Sequence, residues 1–190
     1  MEKGLIQARG KVAAFLDMGT NSVRLLVVRV DPGGVYTVLN QQREVVRLGE
    51  GEFQEQMLQP EAMDRAVLVC RKFSDLARSY GVQDFVAVAT SATRDAENQA
   101  KFLARIEKEA GLEVRVISGR EEARLIYLGV SSGVHMGDNS AAFIDIGGGS
   151  TEVIVGNQAD YSFLDTLKLG AIRLTQMFFL PGEEGPVSPA

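Results

Sequence analysis

Asp17-Met18-Gly19-Thr20-Asn21-Ser22 and Asp145-Ile146-Gly147-Gly148-Gly149-Ser150 are one pattern written twice, with Asp first, Gly at +2 and Ser at +5. Each copy stands at the same junction. VAAFLDM (12–18) precedes the first and VRLLVVRV (23–30) follows it; AAFIDIG (141–147) leads into the second and TEVIVG (151–156) leaves it. The apolar runs predict strands, so both copies are the bends of hairpins, and the repeat predicts a duplicated unit. A bend rich in glycine lets consecutive backbone N–H groups converge on an anion, because no Cβ blocks the approach. Ser and Thr hydroxyls add donors. The Asp at each strand end is an acceptor or a metal ligand, and it repels phosphate unless a cation stands between them. The plain alternative is two tight turns that use glycine for positive φ. At +7 the copies differ: Arg24 in the first, Glu152 in the second.

Outward from these bends the chain alternates strand and helix. Asp31-Pro32-Gly33-Gly34 is a turn signal, and 35–49 returns as a third strand. Pro60 marks a helix start, and 61–81 carries apolar residues at spacings of three and four up to Gly81. A buried strand at 84–90, a helix over 95–110 closed by Gly111, a strand at 113–118 and a helix over 120–130 follow. Residues 131–139 read as a loop. Strands at 141–147, 151–156 and 159–170 and a helix over 171–179 complete the pattern, and the tail 181–190, PGEEGPVSPA, has the composition of loop or disorder. The order β-β-β-α-β-α-β-α then β-β-β-α predicts an α/β fold with a mixed five-stranded sheet and flanking helices. It also predicts a boundary, with a first lobe over 1–135, the start of a second over 136–180, and the tail beyond.

Composition narrows the class. With 20 Lys and Arg against 25 Asp and Glu in 190 residues, the net charge is −5, which argues against a general DNA-binding surface. A hydrophobic content of 45% and a charged content of 24% belong to a globular chain. The single Cys70 has no partner for an internal disulfide, and the polar start MEKGLIQARGK is no signal peptide, so the chain reads as cytoplasmic. No apolar run is long enough to span a membrane. A single histidine, His135, leaves little material for His-rich zinc sites or a His-based triad.

Arg94 follows a buried strand and is surrounded by Thr90, Ser91 and Thr93. The carboxyl end of such a strand is where ligands bind, and the guanidinium fork suits phosphate; an ion pair with Asp95 or Glu97 is the equal alternative. Ser118 and Glu121 form a capping-box pattern, which gives Glu121 a structural task and leaves Glu122 free in the first helical turn. The helix dipole favours its ionised form there, where it could orient a water. It could equally be a plain helix-start acid. Arg120, Arg124 and Lys168 read as solvated charges, Phe15, Phe143 and Tyr127 as core, and Cys70 as packing.

Taken together, DMGTNSVRLL, ATSATRDAEN, ISGREEARLIYLGV and FIDIGGGSTE resemble the exopolyphosphatase/guanosine pentaphosphate phosphohydrolase (Ppx/GppA) family in order and spacing over residues 12–180. The resemblance implies the ribonuclease H-like, actin-like ATPase fold. It implies that Gly19, Thr20, Asn21 and Ser22 form a first phosphate loop, and Gly147, Gly148, Gly149, Ser150 and Thr151 a second. Arg94 falls on a phosphate-contacting arginine and Glu122 on the catalytic glutamate. Asp145 and Glu152, with Asp17, fall on the acids that handle Mg²⁺ and the attacking water. The implied reaction is Mg²⁺-dependent hydrolysis of a terminal phosphoanhydride bond of polyphosphate or guanosine pentaphosphate. The family is two-lobed and longer, so this chain by itself is expected to be weakly active or inactive, strands 141–169 to lack covering helices, and the bare face to recruit a partner or a second copy as a homodimer. A non-catalytic phosphate or alarmone sensor, and a kinase or ATPase of the same superfamily, are the rival readings.

Overall fold

The computed structural model describes residues 10–137 and 139–179. The tail 181–190, and all but the end of the polar N-terminal segment, lie outside the described residues. The chain forms β1 (Lys11–Met18), β2 (Ser22–Val30), β3 (Tyr36–Val45), α1 (Glu52–Glu55), α2 (Pro60–Ser79), β4 (Asp84–Ala89), α3 (Ser91–Asp95), α4 (Gln99–Ala110), β5 (Val114–Val116) and α5 (Gly119–Gly133). It continues with β6 (Ala141–Ile146), β7 (Thr151–Gly156), β8 (Tyr161–Leu167) and α6 (Ala171–Phe178).

The first sheet has the order β3-β2-β1-β4-β5. Its β3-β2-β1 part is an antiparallel meander, and β4 and β5 add in parallel through α2 and α4. Ala14, Leu16 and Met18 of β1 and Val23, Leu25 and Val27 of β2 alternate onto one face. There they meet the buried stripe Ala62, Ala66, Cys70, Phe73 and Ala77 of α2, and Phe102 and Ile106 of α4. Burial pushes the Cys70 thiol up to about 12, so it packs as an apolar group and is no nucleophile. The other face of this sheet is barer. Phe15, expected in the core, is 43% exposed there because its neighbours across β1 alternate the opposite way.

The helix expected over 95–110 begins only at Gln99, and a separate short helix, α3, ends at Asp95. Ala96 is extended, and the break is held from outside: Asn98 bonds both the N–H and the C=O of Leu58, at 2.9 Å each, and the Glu97 N–H donates to Gln56 O. The short α1 has no sequence signal beyond two acids. Helix α5 falls on the other side of the expected boundary. Its Ala123 and Tyr127 pack with Ile154 of β7 and Leu164 of β8, and the Tyr127 hydroxyl donates to Asn157 O at 2.9 Å. The chain leaves the first sheet after the three residues of β5, and α5 packs with the second sheet.

The second sheet, β6-β7-β8, is antiparallel throughout. Helix α5 covers the face that carries Phe143, Ile154 and Leu164. The opposite face bears Ile144, Phe163, Leu167 and Ile146, the last 69% exposed. The expected lack of cover thus holds for one face only. Among the described residues no helix is long and apolar enough to cross a membrane.

Candidate functional site

The bends after β1 and β6 have the same internal geometry. Gly19 N–H donates to Ser22 O at 3.0 Å, and Gly147 N–H donates to Ser150 O at 2.9 Å. In both, the carbonyls are drawn backwards by a neighbouring segment. Thr20 O accepts from Gly49 N–H, and Asn21 O accepts from Val46 and Arg47 N–H. On the second bend, Gly147 O accepts from Ala171 N–H at 2.9 Å, and Gly148 O accepts from Ile172 and Arg173 N–H at 2.8 and 3.0 Å. The N–H groups of Thr20, Asn21, Gly148 and Gly149 donate to no carbonyl of the described residues. Unused donors beside carbonyls held away are what an anion needs.

The bends touch. A Cβ placed on Gly148 would stand 3.0 Å from Thr20 Cβ, and one on Gly149 would stand 2.2 Å from Ser91 Oγ and 2.7 Å from Phe53. Only glycine permits so close an approach. The cleft between the bends is about 380 Å³. Of the residues predicted for the site, Asp17, Gly19, Thr20, Asn21, Ser22, Glu122, Asp145, Gly147, Gly148, Gly149 and Ser150 all line it. Arg94, Thr151 and Glu152 stand behind its wall. Arg24 and Arg43 line it as well, and Arg43 donates to Ser22 Oγ at 3.3 Å. No motif marks Arg43, whose place comes from the pairing of β3 with β2.

Glu122 is delivered by the start of α5. Ser118 Oγ accepts from Glu121 N–H at 3.1 Å, but the return half of the capping box is not made, because Glu121 instead takes a bond from Arg115 at 2.6 Å. Glu122 stays out of the cap and turns to Arg94 instead. Arg94 donates to Glu122 Oε2 and to Ile117 O, both at 3.0 Å, so its ion pair is with neither Asp95 nor Glu97. Burial and the neighbouring Glu152 push the Glu122 carboxyl up to about 7 against the pull of Arg94. The helix dipole expected to keep it ionised is outweighed.

The acids crowd one another. Burial raises the Asp17 carboxyl; Arg24 opposes this and Asp145 adds to it. Asp145 and Glu152 are direct cross-strand partners, whereas the equivalent partner of Asp17 is Arg24. Glu152 is 2% exposed and accepts from Thr166 Oγ1 at 2.9 Å. The oxygen-only donors of Asp145 and Glu152, whose hairpin partners carry no positive charge, fit a hard divalent cation. Among the described residues no three His, Cys, Asp or Glu side chains stand close enough to hold a metal ion by themselves. A cation here would take one or two carboxylates and complete its shell with water and substrate oxygens, the manner of Mg²⁺.

Arg173 carried no sequence signal. It is 9% exposed, donates from Nε to Gly149 O at 2.7 Å and pairs with Asp95, while its guanidinium lies 4.0 Å over the Phe53 ring. Burial works to raise the Asp95 carboxyl, but bonds from Arg173 and Lys168 hold it below the usual range. Lys168, expected to be merely solvated, reaches Asp95 at 3.1 Å while staying exposed.

Two lobes of the actin-like type, meeting where paired hairpin bends close on one cleft, define the class. The chain belongs to the Ppx/GppA phosphatase family, whose model matches residues 26–186. Exopolyphosphatase 1 of Mycobacterium tuberculosis and that of Mycobacterium bovis are each 36% identical to it over 161 residues, 85% of this chain and 47% of theirs. An exopolyphosphatase structure from Cytophaga hutchinsonii superposes with a TM-score of 0.86 at 34% identity, covering 88% of this chain and 54% of that one. The Aquifex aeolicus PPX-GPPA enzyme gives 0.76 at 31% identity, over 89% of this chain and 56% of its own. The chain spans about half the length of the curated relatives it matches.

Proposed function

We propose that this chain carries the phosphate-handling part of a phosphoanhydride hydrolase that removes terminal phosphates from inorganic polyphosphate, with guanosine pentaphosphate as a second substrate, in the cytoplasm. The observation that carries this reading is the contact of the two bends around one cleft with Glu122 on its lining. The amides of Thr20, Asn21, Gly148 and Gly149, the hydroxyls of Ser22 and Ser150, and Arg94 through its place beside Glu122 are the groups for the terminal phosphate, whereas the Thr151 hydroxyl is committed to Leu169 O. Glu122 orients a water and takes its proton as the water oxygen attacks phosphorus; the bridging P–O bond breaks and the shortened chain leaves as an oxyanion. Asp145, with Asp17 or Glu152, is the place for Mg²⁺, which when bound supplies neutralising charge for the phosphate oxygens.

Phosphate release from polyphosphate and from guanosine pentaphosphate, side by side with and without Mg²⁺, tests the reading. Glu122→Ala is expected to lower release by about a thousandfold while polyphosphate binding stays within about fivefold. Binding without release, in wild type and variant alike, would leave a phosphate sensor instead. The bare face of the second sheet suits a second copy, and light scattering would report a dimer.

A further inference from the structure

Three backbone N–H groups at the start of α6 hold Gly147 O and Gly148 O, and any sequence with that backbone would make those bonds. Gly149 O is different, because it is held by a side chain, Arg173 Nε, at 2.7 Å. The same guanidinium bonds Asp95 and reaches Ser91 Oγ at 3.4 Å. Asp95 directly follows Arg94, which holds Glu122. One buried planar cation therefore links the second bend to the helix that carries the arginine of the site. Its donors are taken up by Gly149 O, Ser91 and Asp95, so it acts on the bend rather than as a ligand.

We propose that Arg173 is a positioning residue: it turns the Gly149 carbonyl out of the cleft and fixes the second bend against α3, so that the bend's amides and Arg94 meet one phosphate in a single geometry. This rests on the phosphate reading above. The fork shape is essential to it. Arg173 serves Gly149 O through Nε and Asp95 through a terminal nitrogen, two acceptors in fixed directions on one plane. A lysine is a point charge on a flexible stem and cannot hold both. Phe53 closes the outer side of the guanidinium, which keeps water from competing for these bonds.

The test compares wild type, Arg173→Lys and Asp95→Asn on the 190-residue chain, with inorganic tripolyphosphate and Mg²⁺ as the probe. Three quantities are read: kcat and KM, thermal melting, and the backbone amide shifts of residues 19–22 and 147–150. Arg173→Lys is expected to lower kcat by about tenfold to a hundredfold with KM within about threefold, because misplaced donors act chiefly on the transition state. The amides of 147–150 should shift while those of 19–22 stay. Asp95→Asn should give a smaller loss of about threefold, since it orients the guanidinium without touching the bend. If Arg173→Lys keeps kcat within about twofold and leaves the 147–150 amides in place, the role is overturned. A fall in melting temperature with kcat per folded molecule unchanged overturns it as well, leaving Arg173 a purely structural residue. If wild type does not bind tripolyphosphate, the phosphate reading fails and this role with it; if wild type binds it and Arg173→Lys leaves both that binding and the 147–150 amides unchanged, only this role fails.

Discussion

The bend at 19–22 and the bend at 147–150 make the same internal hydrogen bond and the same backward turn of their carbonyls, yet they are anchored by different means. The first is held by main-chain N–H groups of residues 46–49. The second depends in part on the Arg173 side chain, and through it on Asp95 and the surroundings of Glu52. Across their hairpins the contrast sharpens: Asp17 faces Arg24, and Asp145 faces Glu152. The first bend has an opposite charge across its own hairpin, which offsets part of the burial that raises Asp17. The second has two carboxylates side by side, an arrangement that is unfavourable until positive charge arrives. The two bends share the backbone device and differ in the charges across their hairpins.

The largest effect should come from the site where the bends differ in room. Asn21 and Gly149 occupy equivalent positions, but only Gly149 is wedged against Ser91 and Phe53. Gly149→Ala is expected to cost roughly 2–3 kcal/mol in denaturation and at least about a hundredfold in phosphate release. Asn21→Ala retains the amide and should lose about tenfold or less. Equal losses at both positions would erase the distinction.

The next effect concerns the charges behind the second bend. Glu52 is 1% exposed, one of its carboxylate oxygens has no hydrogen-bond partner, and burial pushes it up to about 7 despite the attraction of Arg173. A carboxyl raised from 4.5 in this way favours the folded state at low pH, and that contribution is lost as pH rises from about 4.5 through about 7. Glu52→Gln should therefore raise stability by roughly 1–3 kcal/mol at pH 8 and leave it nearly unchanged at pH 4.5. Urea denaturation at the two pH values checks it, and a gain equal at both would locate the cause elsewhere.

The smallest effects lie at the start of α5, which brings Glu122 to the cleft between the bends. Ser118→Ala removes the cap bond made at 3.1 Å and should cost about 1 kcal/mol. Glu121→Ala breaks only an exposed pair with Arg115 and should cost less than about 0.5 kcal/mol. A larger cost for Glu121 would mean that the capping box closes fully in solution.

What the sequence disclosed was local. Glycine-rich bends between apolar runs, a capping serine and the three-to-four spacing of α2 are all written within a few neighbouring residues. The capping pattern pointed to Glu122 beside Glu121, but the structural task it gave Glu121 is only half made, since Arg115 takes that carboxylate. The misses are long-range. The break at Ala96 is imposed by Gln56 and Leu58, contacts some forty residues away. Arg173 reads as one charge among many, until folding brings it to Gly149 and Asp95. Phe15 stands in an apolar strand like its neighbours, and only the number of layers on its sheet decides that it is half exposed. The place of α5 depends on which sheet its Ala123 and Tyr127 meet, and periodicity carries no address.

That last point has a practical reach. Helix α5 belongs to the β6–β8 sheet, so a split-protein pair divided just after Gly133 would strand Tyr127 without Ile154 and Leu164, and both pieces would be sticky. A division at Ile117–Ser118 keeps each hydrophobic cluster whole and places the severed Arg94–Glu122 bridge across the join. Reassembly of such halves would then be reported by the recovery of that bridge.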